Sequence, residues 1–319
     1  MGNKISTRNA YGEALVEIGA DPKIVALDAD VSTCTMSCLF HAQYSKRFHN
    51  VGIAEANMVG IAAGMATCGL KPFISTFAMF AAGRTFDQIR NSLAYPRLNV
   101  KVVGTHAGLT VGEDGATHQC LEDIALMRSI PGMTVICPAD ANETRAAVHA
   151  LAAYEGPAYL RLGRSALEVI TDFDGYAFQI GKSVQMRQGR DVTIISTGIM
   201  VAMSLKAAEL LAAEGIEASV VNMHTIKPLD EAAVLEAAMQ TGAIVTAEEH
   251  SVLGGLGAAV AELVSGICPV PVKRVGTQDT FGKSGNADEL LTRYGLTPEQ
   301  IASSARASVA MKSKRGEQQ

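Results

Sequence analysis

The sequence predicts an α/β protein of two domains, each a mainly parallel sheet with helices on both faces. Three observations lead there. The chain has 319 residues, more than a single hydrophobic core usually serves. Short apolar runs of strand length alternate with amphipathic stretches of helix length, and strands separated by helices pair in parallel. A polar, Gly-containing crossing, TDFDGYAFQIGKSVQMRQGR at 171–190, divides one such series from a second. The expected boundaries are 1–170 for the first domain, 171–185 for a linker, 186–312 for the second domain and 313–319 for a tail.

The elements follow in chain order. Ser6 or Thr7 caps a helix running through Ala10–Ile18. KIVALDAD, KPFISTFA, NVKVVGTHAG and MTVICPAD are buried strands, and helices fall at 54–68, 86–94, 121–128 and 141–153. In the second series DVTIISTG, EASVVNMHTI and AIVTAEEHS are strands, separated by helices at 200–214, 230–240 and 257–264. In open parallel sheets, ligands bind where strands end at their carboxyl termini. That directs attention to DADVSTC, THAGLTVGEDGATHQ and CPADANE.

Composition excludes several classes. Net charge is −5 and the basic residues are scattered, so there is no footprint for nucleic acid. Every apolar run is broken by Gly, Thr or charge before reaching the length of a membrane span. MGNKISTRNA lacks the apolar centre of a signal peptide. MGNKIS does fit a myristoylation pattern, but the helix-cap reading of Ser6 or Thr7 accounts for it better. Six cysteines with no metal-ligand spacing read as reduced thiols, which points to the cytoplasm.

Residues 51–69, VGIAEANMVGIAAGMATCG, hold one carboxylate in an otherwise small and apolar run. In a helix, Glu55 shares a face with Met58, Val59 and Ala62, so it faces the core, where an unpaired charge is costly. Ala56, Gly60 and Gly64 form a second, small-residue stripe. The glycines cost helix stability by about 1 kcal/mol each, which close packing against a neighbouring chain would repay.

Residues 53–95, with IAEANMVGIAAGMATCGLKPFISTFAMFAAGRTFDQIRNSLAY, and 108–123, with GLTVGEDGATHQCLED, resemble the pyrimidine-binding domain of the transketolase family of thiamine diphosphate enzymes. EEHSVLGGLGAAVAEL and GTQDTFGKSGNADELLTRYGL resemble the same family's C-terminal domain. The resemblance implies that Glu55 hydrogen-bonds a ring nitrogen of the cofactor's aminopyrimidine, with its carboxyl pKa raised by a dry site. It implies that Phe77 and Phe80 enclose the ring, a suitable use of aromatic faces. A third aromatic of the family falls at Gly83 or beside Arg84, so the pocket is altered on that side. Asp30 matches an acid that approaches the cofactor near a chain–chain interface. Cys34 stands where the family offers a hydroxyl to substrate phosphate, and a thiol is the weaker donor. Asp114 would contact a sugar hydroxyl near the reacting carbon. His118 would reach substrate oxygens or phosphate and carry protons, with His106 a near neighbour. Arg8 and Arg164 match the two arginines that hold the phosphate, with Arg161 competing for the second place.

The family's diphosphate is held through Mg2+ by a GDG followed by Asn, and this sequence has no GDG. The resemblance is therefore to the second half of a split transketolase. Thiamine diphosphate would be shared with a companion chain carrying the diphosphate and Mg2+ site, in an α2β2 assembly by symmetric closure. The implied reaction moves a two-carbon ketol unit between sugar phosphates. The alternatives are a pathway-specific transketolase for a branched sugar phosphate such as apulose 4-phosphate, and the beta subunit of a 2-oxo acid dehydrogenase. A non-catalytic scaffold on the same fold is the reading from another class.

Overall fold

The computed structural model describes residues 4–316, so the first residues of MGNKIS and the last of the 313–319 tail lie outside the described residues. Two main sheets organise the chain. The first has seven strands in the order Thr225–Lys227, Thr134–Ile136, Ala158–Arg161, Lys101–Thr105, Lys71–Phe77, Ile24–Asp28, Phe48–Asn50. All its pairings are parallel except that of Thr225–Lys227 with Thr134–Ile136. The second has five, in the order Val272–Thr277, Ile244–Ser251, Val192–Ser196, Ala218–Asn222, Val184–Arg187, with only the last strand antiparallel. Lys4–Ser6 and Ala166–Glu168 make a separate antiparallel pair.

Both sheets are covered on both faces, as the alternation of strand side chains requires. Val25, Leu27, Ile74 and Val135 enter one core with Met58, Val59, Ala62, Ile124 and Met127. Ile24, Ala26, Phe73 and Ile136 enter the opposite core with Tyr11, Leu15, Val148 and Leu151. In the second sheet Val192, Ile194 and Val245 pack with Ala207, Leu211 and Ile301, while Ile195, Val221 and Ile244 pack with Val234, Leu256 and Val260. Each such aliphatic side chain contributes about 1.5–3 kcal/mol when fully buried. Among the described residues, no helix is long and apolar enough to cross a membrane.

The N-terminal helix is Thr7–Ile18, and Ser6 is its cap, accepting from the Asn9 amide. Three expectations are corrected. EASVVNMHTI is not one strand: Ala218–Asn222 stays in the second sheet, and Thr225–Lys227 crosses to become the edge of the first. Residues 86–94 form a single α turn, Phe86–Gln88, followed by a wide i→i+5 turn over Ile89–Ala94. The helix expected from residue 121 begins at Asp123, because Cys120 bridges to Ala107 and the Leu121 amide donates to Glu122 Oε2 (2.7 Å). The sequence pattern also left undrawn the strands Phe48–Asn50, Ala158–Arg161 and Val272–Thr277 and the helix Pro298–Gly316.

A buried polar knot ties the sheet to the loops above it. Arg161 Nε donates to both oxygens of Asp123 (3.1 and 2.9 Å), and its Nη2 donates to the carbonyls of Glu249 (2.9 Å) and Cys120 (3.4 Å). Burial disfavours the guanidinium charge, but Asp123 together with Cys137, Glu249 and Tyr159 outweighs it, so the Arg161 pKa is raised and the group stays protonated. Tyr159 donates to Asp123 Oδ2 (2.8 Å) and lies against Gly104, where a Cβ would come within 2.3 Å of its hydroxyl. Replacing Asp123 by Ala leaves a buried, uncompensated guanidinium. The variant is expected to lose about 3–5 kcal/mol of stability, read as a lower urea midpoint.

Candidate functional site

The carboxyl ends of the first sheet's strands converge on one edge, and the site grows from there. Glu55 opens the helix Glu55–Thr67, in the first turn where the helix dipole favours an anion. Its face-mates Met58, Val59 and Ala62 are buried in the core, as the periodicity predicts, and Glu55 is drawn in with them to 7% side-chain exposure. Arg84 Nη1 donates to Glu55 Oε1 at 2.9 Å, so the chain supplies its own counter-charge.

Arg84 also extends the site to the aromatic pair. Phe77 ends the strand Lys71–Phe77, and a wide turn over Phe80–Arg84 brings the Arg84 guanidinium 4.0 Å from the centre of the Phe80 ring. The rings of Phe77 and Phe80 lie 5.7 Å apart and nearly parallel, at 25°. His118 approaches both edge-on, 5.4 Å from Phe80 and 6.2 Å from Phe77, and shares a hydrogen bond with Thr117 Oγ1 (2.9 Å).

His106 follows the strand Lys101–Thr105 with a left-handed backbone, φ 56°, a conformation that a non-glycine residue adopts only when its surroundings enforce it. Its ring packs 4.1 Å from that of Phe77 and its Nδ1 meets Thr105 Oγ1 at 3.0 Å. Burial, reinforced by the charges of Arg8, Arg164 and His118, lowers its pKa to about 3. The sequence marked His106 only as a near neighbour; the structure packs it on Phe77 and within the field of Arg8 and Arg164.

Arg8, in the first turn of Thr7–Ile18, donates through Nη1 to the Cys34 carbonyl (2.8 Å), while its buried Nε has no partner among the described residues. Arg164 donates to the Val111 carbonyl and to Glu113 Oε2 (2.9 Å) and keeps a 38% exposed side chain. Arg161 is turned into the buried knot, with its Nε committed to Asp123 and its Nη2 to the Cys120 and Glu249 carbonyls. Asp30 and Asp114 stand apart. Asp30, at φ 67°, is exposed and accepts from Asn50 Nδ2 (2.9 Å); Asp114 is exposed at the end of the short helical turn Leu109–Asp114. The buried acid at the end of Ile24–Asp28 is Asp28, which accepts from the Val31 amide (2.7 Å), Thr35 Oγ1 (2.7 Å) and Ser37 Oγ (2.9 Å). Its pKa is raised by burial.

The loop between His106 and His118 is held from the second half of the chain, which the sequence did not reveal. Glu249 Oε1 accepts from the Thr110 amide (2.6 Å), and Gly108 must be glycine, since a Cβ there would lie 2.3 Å from the Glu249 carboxyl carbon. Gln119 Nε2 donates to the carbonyls of Leu109 (3.2 Å), Gly112 (3.3 Å) and Lys283 (2.9 Å). On the flank of the site, Ile53 is 78% and Tyr95 89% exposed, and Gly60 and Gly64 face open space.

Comparison with known proteins bears on this arrangement. Residues 3–169 match the transketolase pyrimidine binding domain and residues 181–301 the transketolase C-terminal domain. A protein of Methanocaldococcus jannaschii described as the C-terminal section of a transketolase is 49% identical over 298 residues, 92% of this chain and 93% of that one. The 6-deoxy-6-sulfo-D-fructose transketolase subunit SqwH of a Clostridium species is 48% identical, over 93% of this chain and 92% of its own. A solved structure described as a split gene transketolase, inactive beta4 tetramer, superposes with a TM-score of 0.90 at 51% identity, covering 97% of this chain and 99% of that one.

The geometry of His106 gives a pH test. Its folded pKa lies below the unfolded value near 6.5, so its neutral form contributes stability in full above about pH 6.5. That contribution is lost as pH falls towards about 3. An NMR titration is expected to find the His106 ring neutral at pH 5. His106→Asn, which tolerates the left-handed backbone, is expected to flatten the fall of the urea midpoint between pH 6.5 and 4.

Proposed function

The chain belongs to the transketolase family, and from that premise we propose that it is the pyrimidine-binding and C-terminal half of a split, thiamine-diphosphate-dependent transketolase of the cytoplasm. Residues 1–170 would form the pyrimidine-binding domain and 186–312 the C-terminal domain. One observation carries the reading: an unbroken line of contacts runs from the buried Glu55, through Arg84 and the Phe77–Phe80 pair, to His106 and His118, with Arg8 and Arg164 beyond. A buried carboxylate beside a stacked aromatic pair suits a flat heterocycle with a ring nitrogen, so the residues present fit the aminopyrimidine. When bound, thiamine diphosphate supplies the carbon nucleophile and electron sink for breaking and remaking a bond beside a carbonyl.

This chain's residues have separate tasks in that reading. Glu55 holds or shares a proton at the ring nitrogen. Phe77 and Phe80 bury the ring and keep water from it. His118, half-buried at the aromatic edge, moves a proton at a substrate oxygen, and Asp114 on the same loop orients a sugar hydroxyl. Asp30 meets the cofactor only where another chain brings it close. Arg8 and Arg164 grip a terminal oxyanion of the sugar, with phosphate the first choice. The relative named for a sulfo-sugar favours a second reading, in which the oxyanion is a sulfonate. A companion chain holds the diphosphate and Mg2+. Two pairs close as α2β2 across the open Gly60–Gly64 stripe and the exposed Ile53 and Tyr95.

The test is to reconstitute the chain with a companion carrying GDG and a later Asn, then assay ketol transfer with thiamine diphosphate and Mg2+. Phosphorylated and sulfonated ketose donors separate the two substrate readings. Glu55→Ala is expected to assemble normally, by sedimentation, and to lose about 10²–10⁴-fold in turnover. Full turnover in the assembled variant would remove Glu55 from its role. Arg164→Ala is expected to raise KM for the anionic ketose about 10–100-fold, with little effect on an uncharged one. Oxidative decarboxylation of a 2-oxo acid in place of ketol transfer would move the chain to the dehydrogenase reading.

A further inference from the structure

We infer that Arg84 is a gate on the cofactor pocket: in the free chain its guanidinium fills the place of the aminopyrimidine, and it swings out to admit the cofactor. The inference rests on the assignment of Glu55 and Phe80 to that ring. Each of the two contacts that assignment gives to the heterocycle is already made by Arg84. Its Nη1 takes the Glu55 carboxylate at 2.9 Å, and its flat, delocalised group covers Phe80 at 4.0 Å from the ring centre. Glu55 is 7% exposed and Arg84 54%, so the arginine stands at the mouth of the pocket and the carboxylate behind it. A ligand reaching Glu55 from solvent meets Arg84 first.

The local backbone makes the exchange inexpensive for one partner only. Glu55 is fixed by the helix Glu55–Thr67 and by its buried face-mates. Arg84 ends the wide turn Phe80–Arg84, with its side chain more than half in water, and it can leave by rotamer changes alone. Gly83 has no side chain to form a wall, and the Met79 methyl lies 2.5 Å from where a Cβ would stand. The third side of the pocket is thus formed by the guanidinium and opens when it leaves. Arg84 keeps the buried carboxylate compensated until cofactor and companion arrive, and the free energy of that pair is subtracted from cofactor affinity.

The experiment is a calorimetric titration of the cofactor-depleted two-chain assembly with thiamine diphosphate at saturating Mg2+. Arg84→Met is expected to bind about tenfold more tightly, the worth of an ion pair and a cation–π contact together. The same variant is expected to melt at a lower temperature when cofactor-free. Arg84→Lys keeps the charge without the flat group and is expected to fall between wild type and Arg84→Met; it also serves if Arg84→Met fails to assemble. Unchanged or weaker cofactor binding in both variants overturns the gate. Glu55→Gln separates this failure from failure of the underlying assignment. If Glu55→Gln weakens cofactor binding while the Arg84 variants do not tighten it, only the gate is wrong. If Glu55→Gln binds cofactor like wild type, the assignment of Glu55 falls and the gate with it.

Discussion

The ion pair between Arg161 and Asp123 is the constraint on which the upper edge of the first sheet depends. Both side chains are buried, and the guanidinium Nη2 donates to the Cys120 and Glu249 carbonyls. A charge so placed has no alternative partner, so the end of Ala158–Arg161, the start of Asp123–Ser129 and the Ile244–Ser251 strand take fixed relative positions. The loop carrying Thr110, Gln119 and His118 is suspended between these three fixed points. The second sheet is therefore a structural part of the candidate site, although it supplies none of the assigned ligand contacts.

Glu55 shows the same physics with the opposite outcome. Its carboxylate is also buried and also paired, but its partner is largely in water and locally tethered. Arg161 and Asp123 are locked because both are enclosed. Glu55 and Arg84 are exchangeable because only one of them is. Degree of enclosure of the cation, not distance, separates a structural pair from one suited to a binding pocket, since both pairs have contacts of 2.9 Å.

Much of this was legible in the sequence. The face shared by Glu55, Met58, Val59 and Ala62 follows from helical period alone, and residue type narrows the helix cap to Ser6 or Thr7, of which the structure uses Ser6. The convergence of Phe77, His106 and the Arg164 loop follows from parallel strands ending at one edge. What could not be read depends on contacts distant in the chain. Arg161 and Arg164 are equivalent by type and position, and only Asp123, brought beneath Arg161 by the fold, consumes one and leaves the other. Arg84 reaches Glu55 only because the Phe80–Arg84 turn is wider than an α turn, and residue type does not announce that. Thr225–Lys227 reads as the end of a strand in its own domain, since a short apolar run carries no mark of which sheet it joins.

The crossing of that strand has a consequence for how the site is assembled. Thr225–Lys227 pairs with Thr134–Ile136, Glu249 takes the Thr110 amide, and the Lys283 carbonyl takes Gln119. These contacts come from three separate places in the second half of the chain. A hinge between the domains would have to break all of them together, including a buried charged hydrogen bond. The loop bearing His118 is thus set before any other chain binds, and a companion meets a face whose aromatic pair, histidines and arginines already hold their spacing. What is left adjustable in the proposed reading is Arg84, whose side chain is more than half in water.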